Sequence, residues 1–239
     1  MGKSTGAPIR WRVIAVLVLP LFTAMVKLRI RPGSRLPATG PFILAPNHYS
    51  EIDPIVMGVV VWKFQRVPRF LAKASLFRVP LLGWLLRYTG QIPVEREAGA
   101  TLGEPLKAAA RLVEKGQGVI VYPEGTLTMD PDYWPMEGKS GAVRMALEQN
   151  IPLYPAAHWG THNWMGHYAK TIRVIPRTRI DVAIGEPMDL SRYRDQPMTR
   201  ELLAEATEDL MTRIAALVGQ LRGEHPPAEL FRRSTRGSA

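Results

Sequence analysis

The chain has 239 residues, 46% of them apolar and 22% charged, which is enough for one sizeable hydrophobic core. It contains no cysteine, which excludes a disulfide framework, a thiolate nucleophile and a cysteine-ligated zinc. The formal net charge of +10 is unevenly placed: no acidic residue precedes Glu51, whereas Lys3, Arg10, Arg12, Lys27, Arg29, Arg31 and Arg35 all do.

The first segment, residues 1–34, is basic with an apolar run over 13–26 that Pro20 interrupts. As a helix, that run would cover ~21 Å, short of the ~30 Å hydrocarbon core. With Trp11 beside it, the segment reads as an amphipathic helix lying in the interface of an anionic membrane. A signal peptide shares the charged-then-apolar order, but Thr23-Ala24-Met25 followed by Val26-Lys27 offers no small-x-small cleavage site. A buried core helix is a further alternative. Nucleic-acid binding would use the charge and leave the apolar run unexplained, and no nucleic-acid motif is present.

Beyond it, apolar runs alternate with helix-like stretches. Strands are predicted over 26–31, 41–46, 67–72, 91–94, 118–122, 153–157, 171–175 and 179–184. Helical spacing is predicted over 76–88, 101–115, 141–149 and 199–221. Alternation of this kind predicts a single-domain α/β sandwich with a mixed sheet over 35–222. A Pro-, Arg- and Ser-rich tail, 223–239, is expected to be loose.

The strand at 41–46 runs into Asn47-His48-Tyr49-Ser50-Glu51-Ile52-Asp53-Pro54. Asp53 suits a helix N-cap and Pro54 the first helical position. Within one continuous helix, five residues make ~500° of rotation and would splay His48 from Asp53. On a turn between strand and helix the two can meet, and a carboxylate can hold an imidazole in one tautomer, as a general base requires. A surface pair or a capping arrangement fits these residues as well. Ser50 is a poor nucleophile, because a Gly-x-Ser-x-Gly elbow is missing around it.

A second block is Val119-Ile120-Val121-Tyr122-Pro123-Glu124-Gly125-Thr126. It places a carboxylate, a flexible backbone N–H and a hydroxyl at the C-terminal end of a strand, where α/β folds collect ligands. An ordinary strand-to-loop turn has a similar composition. His158, His162 and His167 follow the last apolar block among Trp159 and Trp164. The spacing of the first two suits zinc ligands. No acidic base adjoins them, however, and Gly160 and Asn163 break any helix, so they read as a loop lining the site or resting on lipid headgroups. No metal is expected.

Taken together, His-x4-Asp after Asn47 and the later Pro-Glu-Gly-Thr resemble the glycerolipid acyltransferase family. Lys73-Ala74-Ser75-Leu76-Phe77, Gly90-Gln91-Ile92-Pro93-Val94-Glu95-Arg96, Gly138-Lys139-Ser140-Gly141-Ala142 and Ile151-Pro152-Leu153-Tyr154-Pro155-Ala156 resemble further blocks of that family, in the family's order. The resemblance runs from about residue 35 to 161.

It implies an O-acyltransferase that moves an acyl group from acyl-CoA or acyl carrier protein to the hydroxyl of a lysophospholipid, in phospholipid biosynthesis. The acceptor it implies is 1-acylglycerol-3-phosphate, the product phosphatidate. His48 is then the base and Asp53 its orienting carboxylate. Glu124, Gly125 and Thr126 are expected to bind the acceptor, and Arg96, Lys73 and Lys139 its phosphate. Arg96 beside Glu95 and Glu97, and both lysines, also fit solvated surface charges. No cofactor is implied beyond the thioester co-substrate. The expected location is the cell membrane, monotopic and facing the cytoplasm.

One departure stands out. Many family members carry arginine and then serine after Glu-Gly-Thr, where this chain has Leu127 and Thr128. Losing that cation leaves the acceptor open between lysophosphatidate and another lysolipid or a glycolipid. A non-catalytic lipid-binding protein at the membrane surface is the reading from another class.

Overall fold

The computed structural model describes residues 8–94, 110–111, 113–169 and 171–232. In chain order its elements are α1 (Ile9–Met25), β1 (Val26–Ile30), β2 (Phe42–Pro46), α2 (Asp53–Lys63), β3 (Leu71–Lys73), α3 (Leu82–Thr89), β4 (Ile92–Val94), β5 (Gly118–Ile120), α4 (Gly141–Glu148), β6 (Leu153–Trp159), α5 (Thr161–Trp164), β7 (Thr178–Ile184) and α6 (Arg200–Arg222). Of the helix predicted over 101–115, residues 110–111 and 113–114 are helical. Residues 95–109 and 112, Arg96 among them, lie outside the described residues.

Five strands form the main sheet in the order β1-β7-β6-β2-β5. Its pairings are parallel except between β6 and β7, so the sheet is mixed, as the alternating pattern predicts. Side chains of β2 alternate between the two faces. Ile43 and Ala45 pack with α4 and α6, while Phe42 and Leu44 pack with α2 and with Phe22 of α1. All four are fully buried. Each large one is worth ~1.5–3 kcal/mol removed from water. The result is an α/β sandwich in which β2 lies between β6 and β5 and is buried on both faces, and β2 is the strand that delivers His48. A small second sheet pairs β3 with β4, reached through a bridge from Phe70 to Ile120.

Four expectations are corrected. The helix predicted over 76–88 is broken into a 3-10 turn (Ala74–Arg78) and α3. Pro80 brings no N–H to a helical ladder, and Leu81 takes a positive φ of 47° to make the turn. Residues 171–175, predicted as a strand, form a loop, and the ladder with β1 starts only at Thr178, after Pro176. The tail is held as far as Phe231: Met136 bridges to Phe231, Glu137 N–H donates to its carbonyl at 2.9 Å, and Leu230 packs on the core. Its apolar residues anchor it despite the basic composition.

The fourth concerns α1. Trp11 and Phe22 are buried, but Ile9, Val13, Val16, Leu17, Val18 and Leu21 are exposed. Only Arg12 and Thr23 are exposed polar residues of α1, so the helix is apolar outside as well as inside rather than amphipathic. No described helix is long and apolar enough to cross a membrane.

Candidate active site

His48 stands two residues beyond β2, and Asp53 opens α2. The N-cap is Ile52, so Asp53 and Pro54 each sit one position deeper in the helix than expected. The turn between them brings His48 Nδ1 to 2.9 Å from Asp53 Oδ2. Oδ2 also accepts the backbone N–H groups of Tyr49 (2.6 Å) and Ser50 (2.8 Å). Asp53 is fully buried, which alone would push its carboxyl up; His158, the His48 hydrogen bond and the Ser50 amide together hold it below the ordinary range. A carboxylate in this position keeps the proton of neutral His48 on Nδ1 and leaves Nε2 as the basic nitrogen.

His48 is itself clamped. Its backbone N–H donates to Glu124 Oε1 at 2.8 Å, and its carbonyl accepts from Thr128 N–H at 2.8 Å. The ring of Tyr122 stacks on the imidazole at 4.1 Å and 25°. Only 10% of the His48 side chain is exposed. A ring so enclosed presents one edge to a substrate and keeps one orientation.

The side chain of Glu124, a residue expected to bind the acceptor, also has a structural task. It is 1% exposed, and its second oxygen accepts from Met136 N–H at 3.2 Å. Burial pushes its carboxyl up to about 8, against the amide bonds from Met136 and His48. Its side chain braces the His48 turn and is buried there. The bracing was not legible in the sequence, because spacing says nothing about which backbone amides the side chain meets.

Gly125 (φ 71°) and half-buried Thr126 remain on the surface of this loop. The side chain of Lys139 crosses Gly125, and a Cβ there would lie 3.1 Å from the lysine's Cδ and Cε. Lys139 is thereby grouped with the Glu124–Thr126 loop. Lys73, at the end of β3 in the smaller sheet, is exposed and makes no contact with the His48 pair among the described residues. Leu127 is 4% exposed and faces the interior.

Ser50 is buried and its hydroxyl donates to Met165 O at 2.7 Å, a structural bond that takes it out of nucleophilic chemistry. Asn47 bonds across the sheet to His158 of β6. Among the described residues no group of three His, Asp or Glu side chains could hold a metal. Tyr122 and His158 are neighbours of the pair: His158, expected on a loop lining the site, stands instead on β6 behind Asp53, and the stacking of Tyr122 on His48 was not foreseen. Tyr122 immediately precedes Pro-Glu-Gly-Thr, but the stacking itself leaves no sequence signal.

Residues 27–159, more than half of the chain, match the family model described as Acyltransferase. A 1-acyl-sn-glycerol-3-phosphate acyltransferase of Bacillus subtilis is 30% identical over 194 residues, covering 81% of this chain and 89% of the relative. A lyso-ornithine lipid O-acyltransferase of Rhizobium meliloti is 25% identical over 229 residues, covering 86% and 74%. The crystal structure of the 1-acyl-sn-glycerophosphate (LPA) acyltransferase PlsC from Thermotoga maritima superposes with a TM-score of 0.61 at 21% identity, over 91% of this chain and 85% of that one. At that identity the likeness is one of fold.

Proposed function

The chain belongs to the acyltransferase family, and from that premise we propose that it moves a fatty acyl group from acyl-CoA or acyl carrier protein to the hydroxyl of 1-acyl-sn-glycerol-3-phosphate, giving phosphatidate for phospholipid synthesis. The observation that carries the reading is the buried His48–Asp53 pair at 2.9 Å, with Nδ1 committed to the carboxylate. The acceptor hydroxyl attacks the thioester carbonyl while His48 Nε2 takes its proton. The C–O bond forms, the C–S bond breaks, and the proton passes to the departing thiolate. Asp53 stabilises the imidazolium in between. General-base help of this kind is worth ~10²–10⁴ in rate. The acceptor is itself the nucleophile, so no acyl-enzyme is needed.

Lys139 over Gly125, with Thr126, supports binding of the acceptor phosphate at this loop. The apolar outer side of α1 supports docking of the protein on a membrane surface; that the membrane is anionic and the protein monotopic and facing the cytoplasm is part of the proposal. Trp84, Leu85 and Tyr88 of α3 are exposed as well. Arg69 links the two helices: its guanidinium lies 5.8 Å from the Trp11 ring and donates to Thr89 O. Purified protein with acyl-CoA and lysophosphatidate, followed by mass spectrometry of the product, tests the reading; absence of turnover with any lysolipid in a membrane mimetic would sink it.

A second reading changes only the acceptor. Buried Leu127 supplies no cation where many relatives carry arginine, and the Rhizobium meliloti relative is named for a lyso-ornithine lipid. A panel of phosphate-bearing and phosphate-free lysolipids separates the two.

A further inference from the structure

The Asp53 carboxylate has a second imidazole behind it. His158 Nε2 lies 3.5 Å from Asp53 Oδ2 and 2.9 Å from the carbonyl oxygen of Asn47. A carbonyl only accepts, so Nε2 must carry the proton. Nδ1 is then the lone-pair nitrogen, 3.3 Å from the Thr161 hydroxyl, which donates to it. Thr161 can sit there because Gly160 turns the chain at a φ of 106°, where a Cβ would lie 2.3 Å from Arg179 O. The tautomer of His158 is thus set from both ends. The whole ring is buried with 0% exposure.

His158 also holds the chain on which His48 stands. Its backbone N–H donates to Asn47 Oδ1 at 2.9 Å, and its carbonyl accepts from Asn47 Nδ2 at 3.1 Å. With the ring bond, three hydrogen bonds join one residue of β6 to the residue preceding His48. Nothing in the general-base reading uses this histidine, and a mere spacer at this position would need no ring N–H bonded to Asn47 O beside Asp53.

We propose that His158 is a positioning residue for the acyl-transfer reaction: a neutral imidazole whose Nε2–H, bonded to Asn47 O and 3.5 Å from Asp53 Oδ2, holds its positive edge against the carboxylate that orients His48. Burial favours that neutral form, lowering the ring's affinity for a proton against the pull of Asp53. A neutral donor suits the task, because a protonated His158 would carry a full charge beside Asp53 and compete with the imidazolium of His48. The proposal rests on His48 acting as the base.

The test uses His158→Leu and His158→Gln in the full chain. Glutamine can place its amide N–H near the position of Nε2; leucine has no donor. In H158L, kcat should fall about 10- to 100-fold with KM for the acceptor within about threefold, as loss of an orienting group rather than of binding. The downfield Nδ1–H resonance of His48 hydrogen-bonded to Asp53 should shift or broaden away in the same variant. H158Q should recover most of both. Unchanged kcat and resonance in H158L, or equal impairment in H158Q, would overturn the proposal.

If H158L does not fold, Thr161→Val removes the hydroxyl that donates to Nδ1. It should lower kcat about three- to tenfold and shift the same resonance, and no change in either would also overturn it. A wild-type protein inactive on every lysolipid would refute the proposed function. The resonance needs no substrate and tests the His158 role on its own.

Discussion

Glu124 Oε1 accepts the backbone N–H of His48 at 2.8 Å, so the second sequence block holds the first in place. Both of its carboxyl oxygens take up backbone N–H groups, one from His48 and one from Met136, and an oxygen can accept whether or not the acid is protonated. In Glu124→Gln an amide NH2, which cannot accept, must face one of these donors. We expect kcat to fall about 10²-fold or more, since a misplaced catalytic group of this kind costs on that order. Steady-state kinetics on folded protein checks it; activity within about threefold of wild type would contradict the bracing role.

The same carboxylate gives a pH signature. Its folded pKa, about 8, is above the ordinary 4.5, so between those values the folded state holds more proton than the unfolded one. The stability it contributes is fully present below pH ~4.5 and is lost as pH rises toward ~8, by up to ~1.4 kcal/mol per unit. Urea unfolding of wild type between pH 5 and 8 should therefore fall more steeply with pH than that of E124Q. Parallel slopes for the two proteins would contradict it.

Replacing the pair separates base from orienter. His48→Ala should remove ~10²–10⁴ of kcat. Asp53→Asn should cost a comparable factor by letting the ring take the wrong tautomer. Neither should move KM by more than about threefold, because neither residue is asked to bind the acceptor. A large KM effect with kcat intact would reverse the assignment.

Lys139→Ala tests where the acceptor phosphate goes. We expect KM for lysophosphatidate to rise about tenfold, in line with one lost charge-assisted contact, with no change for a phosphate-free lysolipid. Equal effects on both acceptors would place the phosphate elsewhere.

Val16 and Leu17 are 72% and 70% exposed on α1. Changing both to Asp removes ~3–6 kcal/mol of apolar burial in a lipid surface. Flotation with anionic vesicles should show binding reduced more than 100-fold, and the melting temperature should stay within a few degrees. Undiminished binding would remove α1 from the membrane contact.

Periodicity within a few residues was readable from the chain alone. The continuous apolar run between Pro41 and Pro46 marked β2 as a strand buried on both faces, and the strand-turn-helix pattern around Asn47 to Pro54 allowed His48 to meet Asp53. These features depend on backbone geometry that local sequence encodes. Local breaks were harder to read: an apolar stretch at 76–88 suits a helix, and Pro80 with Leu81 stops it only through its own backbone.

The meeting of His48 with Asp53 was thus legible in the sequence, as was the acyltransferase family. What braces His48 was decided by the tertiary structure. Glu124 meets the N–H of His48 from 76 residues away, and His158 meets Asn47 from 111 residues away. Both meetings exist because β2 lies between β5 and β6, so that the residues ending three separate strands converge at one edge of the sheet. Strand order is settled by which buried faces pack together over the whole chain. No spacing within a motif carries that information.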